Sequence, residues 1–422
     1  MDVSRRRMLQ SAGVLPIAAA MGAAVSAAPL ATVRSDTLEP RRRIALPDRG
    51  NFTFDGIHLN AAYTHPIGIR ANAATENYVR SRMREPGRNW PVTNSRDAAV
   101  ASFAKLINAL PSEVAVVPST LEGENLIAAA LGLGRGAGVV TDPYHYDAAL
   151  VMYGEMHKAG MLLTVLTPRD HSIDYAELEA AITAGTKLVA LSLVSSETGH
   201  MHDLKTVCEI AHRKGALVYA DIIQAAGAVP IDVKASGVDF CCTGMYKWLM
   251  GEFGAAFLYV RGDRLAALKR VQVGWRGMTK FVRHALPYDP PGPVGGDWLL
   301  GTDTASIFEV STPNWSALAT ATESLAYIDD IGIDAIVRHR APMIDRLQRE
   351  LPKAGFQPLT PRDSRSPALV FAREGTRARF RESLMREKIY TTLYPNKIRI
   401  SPSVYNDMAD IDVLLRVLTA RA

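Results

Sequence analysis

Residues 219–260, YADIIQAAGAVPIDVKASGVDFCCTGMYKWLMGEFGAAFLYV, contain three β-rich runs and a few polar residues at their ends. The first run ends at Asp221, and Gln224 follows three residues later. Lys247 lies inside an otherwise apolar run. A buried ammonium group costs on the order of several kcal/mol unless it is paired, neutralised or able to reach the surface. The stretch therefore predicts either a lysine that extends to the surface or one whose charge is removed by chemistry.

Around this stretch, between Glu113 and Arg270, short β-rich runs alternate with stretches of helical spacing. The predicted strands are Gly138–Thr141, Met161–Leu166, Leu188–Val194, Ala216–Asp221, Val238–Cys242 and Ala255–Val260. The predicted helices are Glu122–Leu133, Tyr146–Ala159, Tyr175–Ala184 and Asp203–Lys214. Apolar strands separated by helices indicate a mostly parallel sheet covered on both faces. Ligands of such sheets lie beyond the carboxyl ends of the strands, where Asp221 is expected.

The chain after this region predicts a smaller α+β domain, which follows the Pro/Gly-rich loop Leu286–Trp298. Two long helices are predicted at about 315–330 and 334–351, strands at 368–372, 389–393 and 397–401, and a last helix from about Met408. We therefore predict an N-terminal arm at 28–60, a large domain at 61–300 and a small domain at 301–422.

The N-terminus predicts export. Arg5 and Arg6 match the twin-arginine pattern, an apolar run follows, and small residues at 25–27 form a plausible cleavage site. The apolar run is too short and Ala-rich for a transmembrane helix, so we expect no stable membrane insertion after cleavage. Residues 1–27 are the predicted signal peptide, and the expected location is the periplasm or beyond. The net charge of +5 is too small to indicate nucleic-acid binding.

The three cysteines, Cys208, Cys241 and Cys242, suggest neither a disulfide framework nor a Cys-x-x-Cys metal pair. Cys241 and Cys242 are neighbours on a predicted strand and point to opposite faces, so they do not easily form a bridge. The histidines of GHMHD (199–203) lack a third ligand at a recognisable spacing. We predict three buried apolar thiols and no metal site.

Asp221, Gln224 and Lys247 together fit the chemistry of pyridoxal phosphate. A lysine forms an imine with the aldehyde of this cofactor, and a carboxylate keeps the pyridine nitrogen protonated so that the ring accepts electrons. Gln224 is suited to hydrogen-bond the ring hydroxyl. Taken singly, the three residues also fit a helix cap, a surface amide and a side chain that reaches the surface. Together they predict a cofactor site.

The same stretch resembles the class V aminotransferases, which have the pyridoxal phosphate fold type I, and the resemblance extends over about residues 55–420. It rests most specifically on Asp221-x-x-Gln224 followed by Lys247. The resemblance implies an α/β fold with a mostly parallel sheet of the seven-stranded type, helices on both faces and a smaller α+β C-terminal domain. It also implies that Lys247 and Asp221 are catalytic.

Two further segments resemble cofactor contacts of this family. VVPSTLEGENL (116–126) resembles the phosphate turn, in which Thr120 and Leu121 open a helix whose free N–H groups and dipole suit a phosphate. A capped helix without a ligand has the same pattern. TDPYHYDAAL (141–150) resembles the segment that places an aromatic ring on the cofactor. The resemblance favours Tyr146 for this catalytic ring, and His145 is the alternative if the register slips by one.

The resemblance implies five more contacts. Tyr246 and the loop that contains Trp275 resemble kynureninases, in which such a tyrosine reaches the phosphate and the loop forms a wall of the site. Thr312 is expected to reach the phosphate of the opposite subunit, which implies a homodimer with shared active sites. Arg399 is expected to bind the substrate carboxylate, although a solvent-facing arginine fits the pattern as well. Ser196 is expected near the substrate, where many relatives carry asparagine.

The reaction is less well defined by the sequence than the cofactor. Persulfide-forming cysteine desulfurases need a mobile cysteine in the C-terminal domain, and no cysteine follows Cys242. We predict an enzyme acting at Cα of an amino acid or a peptidyl amino acid, as an aminotransferase or epimerase in which Lys247 moves the Cα proton. The alternative is a C–S or C–C lyase, similar to selenocysteine lyase or kynureninase. A third hypothesis, a non-catalytic binding protein, disagrees with the joint presence of the three cofactor residues.

Overall fold

The central sheet positions most of the predicted site residues. The computed structural model describes residues 44–85 and 93–420, and the predicted signal peptide lies outside these residues. The strands are β1 (Ile57–His58), β2 (Val114–Val117), β3 (Gly138–Thr141), β4 (Leu162–Val165), β5 (Thr186–Ser192), β6 (Leu217–Asp221), β7 (Phe240–Gly244), β8 (Ala256–Val260), β9 (Met278–Val282), β10 (Asp297–Leu300), β11 (Gln357–Pro358), β12 (Leu369–Ala372), β13 (Ile389–Tyr390), β14 (Thr392–Leu393) and β15 (Lys397–Ile400).

Helices lie between most of these strands, as the predicted alternation requires. They are α1 (Ile69–Arg84), α2 (Thr93–Leu106), α3 (Thr120–Ala130), α4 (Asp147–Lys158), α5 (Tyr175–Ala181), α6 (Leu204–Arg213), α7 (Val233–Ser236), α8 (Thr304–Phe308), α9 (Trp315–Ile331), α10 (Ile333–Glu350), α11 (Thr376–Arg386) and α12 (Met408–Thr419). The predicted elements between residues 120 and 260 are each found within a few residues of their predicted bounds.

The sheet has seven strands in the order β2-β8-β7-β6-β5-β3-β4. Strand β8 runs antiparallel to β7 and β2, and the other neighbouring pairs are parallel. The prediction of a mostly parallel α/β sheet is therefore confirmed. In the register, Asp221 is the partner of Ser192 on β5 and of Cys242 on β7. The carboxyl ends of β5 and β6 are therefore level, β7 continues to Gly244, and Asp221 is the last residue of β6.

Successive residues of the central strands belong to two different apolar cores. On β6, Val218 packs into one core cluster and Tyr219 into the other, because alternate side chains point to opposite faces. Helix α6 covers one face with Val207 and Ile210, and begins at Asp203, whose side chain accepts the N–H of Thr206. Burial on both faces explains why these strands are continuous apolar runs in the sequence.

The C-terminal segment forms a second, four-stranded antiparallel sheet in the order β11-β12-β15-β14. Its own apolar core joins the sheet to α10, α11 and α12. The predicted smaller α+β segment is therefore confirmed. The strand predicted at 389–393 is instead two short strands, because Ile389 and Tyr390 pair in parallel with β1 while Thr392 and Leu393 pair with β15.

Two features differ from the sequence-based expectation. A hairpin of β9 and β10 pairs Phe281 with Trp298, so the second strand begins inside the loop predicted at 286–298. Helix α9 packs into the core of the large sheet through Leu318 and Leu325. The domain boundaries at residues 60 and 300 stay predictions. Within the ranges that the structure covers, no helix has the length and apolar character needed to span a bilayer.

Candidate active site

Asp221 is a buried carboxylate at the carboxyl end of β6. Its Oδ1 accepts the N–H of Ile223 at 2.9 Å. Burial raises the pKa of Asp221 to about 6, and the Ile223 N–H and His145 oppose this rise. Asp221 is therefore ionised at neutral pH but is held in an environment that strengthens its interaction with any cation or protonated ring nearby.

Lys247 lies in the loop after β7 and is electrostatically coupled to Asp221. Burial lowers the pKa of Lys247 to about 8, an effect that Asp221 opposes and Arg399 reinforces. Its Nζ lies 5.8 Å from the centroid of the Tyr246 ring. Among the described residues, no carboxylate lies within ion-pair distance of Nζ. The amine is thus partly unprotonated near neutral pH, as a nucleophile or base requires.

Gln224 is buried, so it is not a surface amide. Its Oε1 accepts the indole N–H of Trp248 at 3.0 Å, and its Nε2 donates to the backbone oxygen of Ala62 at 2.9 Å. One amide hydrogen of Gln224 remains for a ligand, because a primary amide has two.

The first turn of α3 presents free backbone donors. Ser119 is the N-cap, and its hydroxyl accepts the N–H of Glu122 at 3.1 Å. The N–H groups of Thr120 and Leu121 precede any intrahelical acceptor, as at every helix start. The Thr120 hydroxyl accepts the N–H of Gly244 at 2.7 Å, which fixes this turn to the end of β7. The arrangement suits an anion such as a phosphate.

The structure separates the two candidates for the aromatic ring on the cofactor. His145 is fully buried, with Nδ1 at 2.9 Å from the Ser192 hydroxyl and Nε2 at 2.8 Å from Glu124. Tyr146 is 46% exposed at the start of α4 and interacts electrostatically with Tyr246. Because His145 is fully buried and the Tyr146 ring is accessible, the exposure favours Tyr146, whose role stays a prediction.

Tyr246 is half-buried and stacks on Phe253, with 4.3 Å between the ring centroids. Its backbone oxygen accepts the N–H of His65 at 3.0 Å. Burial, followed by the neighbouring Tyr146 and Asp221, raises the pKa of the Tyr246 phenol. The hydroxyl is therefore a protonated donor at neutral pH, which suits the predicted phosphate contact.

Arg399 is 4% exposed, so the solvent-facing alternative is wrong. Its guanidinium donates to the backbone oxygen of Ser196 at 3.1 Å and to the hydroxyl of Thr392 at 3.2 Å. Burial lowers the pKa of Arg399 from its usual value. In the part of the chain that the structure describes, its buried Nε has no hydrogen-bond partner. A cation with a free donor, near Lys247, suits a substrate carboxylate.

Ser196, Trp275 and Thr312 lie at the margin of this group. Ser196 contributes its backbone oxygen to Arg399. Trp275 is 73% exposed, and Thr312 is exposed beside Pro118 and Glu122 in a cavity of about 190 Å³. Their predicted contacts with the cofactor or with a partner subunit stay predictions.

Sequence reasoning missed a buried polar network behind Asp221. Glu124, on α3, accepts from the hydroxyl of Tyr153 at 2.8 Å and pairs with His145. The nearby Glu124 carboxylate raises the pKa of Asp221, while His145 lowers it. The signal was present in the sequence, because Glu124 is an acid on the apolar side of a helix, near Ile127.

The residues present fit pyridoxal phosphate. Lys247 offers an amine, Asp221 a buried carboxylate and Gln224 an uncommitted amide hydrogen. The start of α3 offers free N–H donors, and Arg399 has a buried donor without a partner. Each polar part of the cofactor therefore has a complementary group on this chain.

Comparisons with known proteins agree with this fit. The model of the family described as aminotransferase class-V matches residues 76–414. The chain is 29% identical over 335 residues to the uncharacterized aminotransferase YcbU of Bacillus subtilis strain 168, covering 79% of this chain and 85% of YcbU. It is 26% identical over 299 residues to a probable cysteine desulfurase of Methanothermobacter thermautotrophicus, covering 69% and 72% of the two chains.

A solved structure shares the fold. It is a variant of C-DES with glycine covalently linked to its pyridoxal phosphate cofactor, and it superposes with a TM-score of 0.78 at 19% identity. The superposition covers 89% of this chain and 100% of that chain. At this identity the likeness concerns the fold alone.

Proposed function

The chain belongs to the class V aminotransferase family of pyridoxal phosphate enzymes, and we propose that it acts at Cα of an amino acid or a peptidyl amino acid, as an aminotransferase or an epimerase. Lys247 is the proposed base. The observation that carries the proposal is the buried amine of Lys247, whose pKa of about 8 lies close to neutral pH and whose neighbour is the carboxylate of Asp221. A group with such a pKa accepts and returns protons efficiently.

Each residue of the site has a distinct task. When bound, pyridoxal phosphate supplies a ring that accepts electrons. Asp221 holds a negative charge against the protonated ring nitrogen. The amides of Thr120 and Leu121 hold the phosphate at the start of α3. Arg399 would fix the substrate carboxylate, and Lys247 would remove the Cα proton. An epimerase has to deliver a proton back to the opposite face of Cα, and an aminotransferase has to deliver it to the cofactor instead.

The cysteines support the proposal that the enzyme forms no persulfide. The chain has three, Cys208, Cys241 and Cys242, and each is at most 1% exposed. Burial raises the pKa of all three thiols. The thiolate is the nucleophile in cysteine chemistry, so none of these thiols is suited to attack a substrate. The proposal differs from the activity named for several relatives, which are called cysteine desulfurases.

A C–S or C–C lyase is the second candidate. It is favoured by Tyr246, which resembles the kynureninase phosphate contact, and it needs no nucleophilic cysteine. The first steps of a lyase use the same residues as those of an aminotransferase, so the products decide between the two.

The test is incubation of the holoenzyme with single amino acids in deuterium oxide. The proposal predicts deuterium at Cα of recovered substrate, or accumulation of the pyridoxamine form of the cofactor, and neither with Lys247→Ala. Release of pyruvate or alanine at the rate of substrate loss assigns a lyase instead. Both candidates would be wrong if amino acids and capped peptides gave no deuterium at Cα, no pyridoxamine form and no pyruvate or alanine.

A homodimer with shared sites is also proposed. Exposed apolar side chains near the hairpin support it, among them Trp275 at 73% and Leu299 at 60% exposure. Thr312 is exposed and free to reach another subunit. Mixing inactive Lys247→Ala subunits with Thr312→Ala subunits is predicted to restore activity, because a mixed dimer has one site with both residues intact. No recovery above the sum of the separate variants, with mixed dimers present, contradicts the shared site.

Export in the folded state is proposed from the N-terminal pattern, which lies outside the described residues. Arg5 and Arg6 form the proposed pair, and Arg7 provides a matched control. Replacing both Arg5 and Arg6 by lysine is expected to retain the protein in the cytoplasm, whereas Arg7→Lys is not. Export of both variants to the same extent contradicts the proposal.

A further inference from the structure

Trp248, the residue after Lys247, is hydrogen-bonded to the side-chain amide of Gln224. Trp248 is 1% exposed, and its indole N–H donates to Oε1 of Gln224 at 3.0 Å. Nε2 of Gln224 donates to the backbone oxygen of Ala62 at 2.9 Å. Gln224 is 3% exposed, so neither bond competes with bulk water.

The two partners fix which way the Gln224 amide points. An indole N–H only donates, so the atom facing Trp248 has to be the amide oxygen. A backbone oxygen only accepts, so the atom facing Ala62 has to be the amide nitrogen. Turning the amide by 180° places two donors against each other and two oxygens against each other. The remaining amide hydrogen is therefore held in one direction.

Arg340, a buried arginine of α10, contacts both Trp248 and the loop that follows Gln224. The guanidinium of Arg340 lies 5.6 Å from the Trp248 ring centroid and donates to the backbone oxygen of Ala228 at 2.7 Å. Burial lowers the pKa of Arg340 to about 10, so it stays charged at neutral pH. A cation on the ring face is attracted by the ring quadrupole. Arg340 thus holds Trp248 and the loop that carries Gln224 together.

The loop approaches Trp248 so closely that it requires a glycine. Gly227 has φ of +89°, and a Cβ on it would lie 2.3 Å from the backbone oxygen of Trp248. Gln224 and Gly227 contact Trp248 directly, and Ala228 is joined to it through Arg340. The packing of this loop against Trp248 is therefore fixed by the fold.

We propose that Trp248 is a positioning residue that holds Gln224 as a hydrogen-bond donor toward an acceptor oxygen on the cofactor ring. The inference rests on the proposed contact between Gln224 and the ring, and deepens it. Trp248 touches neither the substrate nor the cofactor in this account. Because Gln224 is held as a donor, the site is expected to bind the ring oxygen best when that oxygen is deprotonated and acts only as an acceptor.

The test measures cofactor binding instead of turnover. Apoenzyme is titrated with pyridoxal phosphate, and the affinity and the ratio of the visible absorbance bands are recorded. Gln224→Ala is expected to weaken binding roughly 10–100-fold, as loss of a bond to a charged oxygen implies. Trp248→Phe keeps an aromatic ring at this position but removes the indole N–H together with one of the two fused rings, so roughly 3–10-fold weaker binding and a band change in the same direction are expected.

A double variant and a control separate positioning from general loosening. Because Trp248 acts through Gln224, Trp248→Phe is expected to have no further effect once Gln224 is alanine. Phe356→Leu loosens the remote C-terminal core and is expected to leave both readouts unchanged. Additive effects of the two variants, or an unaltered spectrum and affinity in Trp248→Phe, overturn the inference. Cofactor affinity and absorbance do not depend on which reaction the enzyme catalyses. A wrong assignment of the reaction would therefore leave these results unchanged.

Discussion

Nε2 of His145 lies 2.8 Å from Oε1 of Glu124, and both side chains are buried behind the site carboxylate Asp221. Burial alone would disfavour a charged imidazole, but Glu124, together with Asp221 and Asp142, raises the pKa of His145. His145 in turn lowers the pKa of Asp221. The charge of Asp221, which would face the cofactor ring, therefore depends on the neighbouring buried pair of Glu124 and His145.

Glu124→Gln is predicted to lower the pKa of His145, because the carboxylate that stabilises the imidazolium is removed. Breaking a buried pair from one side costs about 3–5 kcal/mol of unfolding free energy. NMR titration of the imidazole and urea unfolding measure the two effects. Tyr153→Phe is the control, since it removes the other bond to Glu124 and is expected to cost about 1 kcal/mol. An unchanged imidazole pKa in Glu124→Gln contradicts this account.

Reconstitution of apoenzyme with pyridoxal phosphate is predicted to depend on pH through Lys247. The lysine reacts as the free amine, whose fraction rises through a pKa of about 8. The rate is expected to be half-maximal at about pH 8 and to level off roughly one to two pH units above that. In Asp221→Asn the inflection moves to lower pH, because the Asp221 charge raises the pKa of Lys247. An inflection at about 10.4, the value of an exposed lysine, contradicts the buried amine.

Arg399→Lys is predicted to weaken carboxylate recognition. A lysine cannot reproduce the planar fork of donors, and a lost charge-assisted bond raises KM roughly 10–100-fold with little change in kcat. The sharper readout is the preference for an amino acid over its amide, which is expected to fall in the variant. Arg377→Lys, an exposed arginine of α11, is the matched control. An unchanged acid-to-amide preference assigns Arg399 a purely structural role.

The thiols are predicted to resist alkylation in the native protein. Cys208, Cys241 and Cys242 are buried with raised pKa values, so iodoacetamide at pH 8 is expected to label them only after unfolding. Mass spectrometry counts the labels. Rapid native labelling of any one of them removes the argument against a nucleophilic cysteine.

Most strands of the central sheet were predictable because they are buried on both faces, although β2 has the same burial and was not predicted. In runs such as Gly138–Thr141 every residue is buried, the hydroxyl residue Thr141 included, so the apolar run and the strand coincide. The hairpin of β9 and β10 was not predicted, because its strands are largely exposed and carry residues such as Lys280 and Asp297. The exposed strands of this hairpin mix apolar with charged residues, so their sequence gave no signal, whereas the largely exposed β4 is apolar and was predicted.

The site was predictable where one residue type is required by the chemistry. Asp221, Gln224 and Lys247 are found together, as their spacing predicted. The Glu124–His145 pair was missed because its function comes from a contact across 21 residues between α3 and the start of α4. The hydrogen bond between Trp248 and Gln224 was also missed, because a tryptophan in an apolar run is expected to be an ordinary core residue.

The most direct test of the central claim is the identity of the lysine that binds the cofactor. The holoenzyme is reduced with borohydride and digested, and the peptides are analysed by mass spectrometry. The account predicts a phosphopyridoxyl group on Lys247, and no yellow band or modified peptide in Lys247→Ala. A label on another lysine, or an unmodified Lys247 in protein that has bound the cofactor, would contradict it.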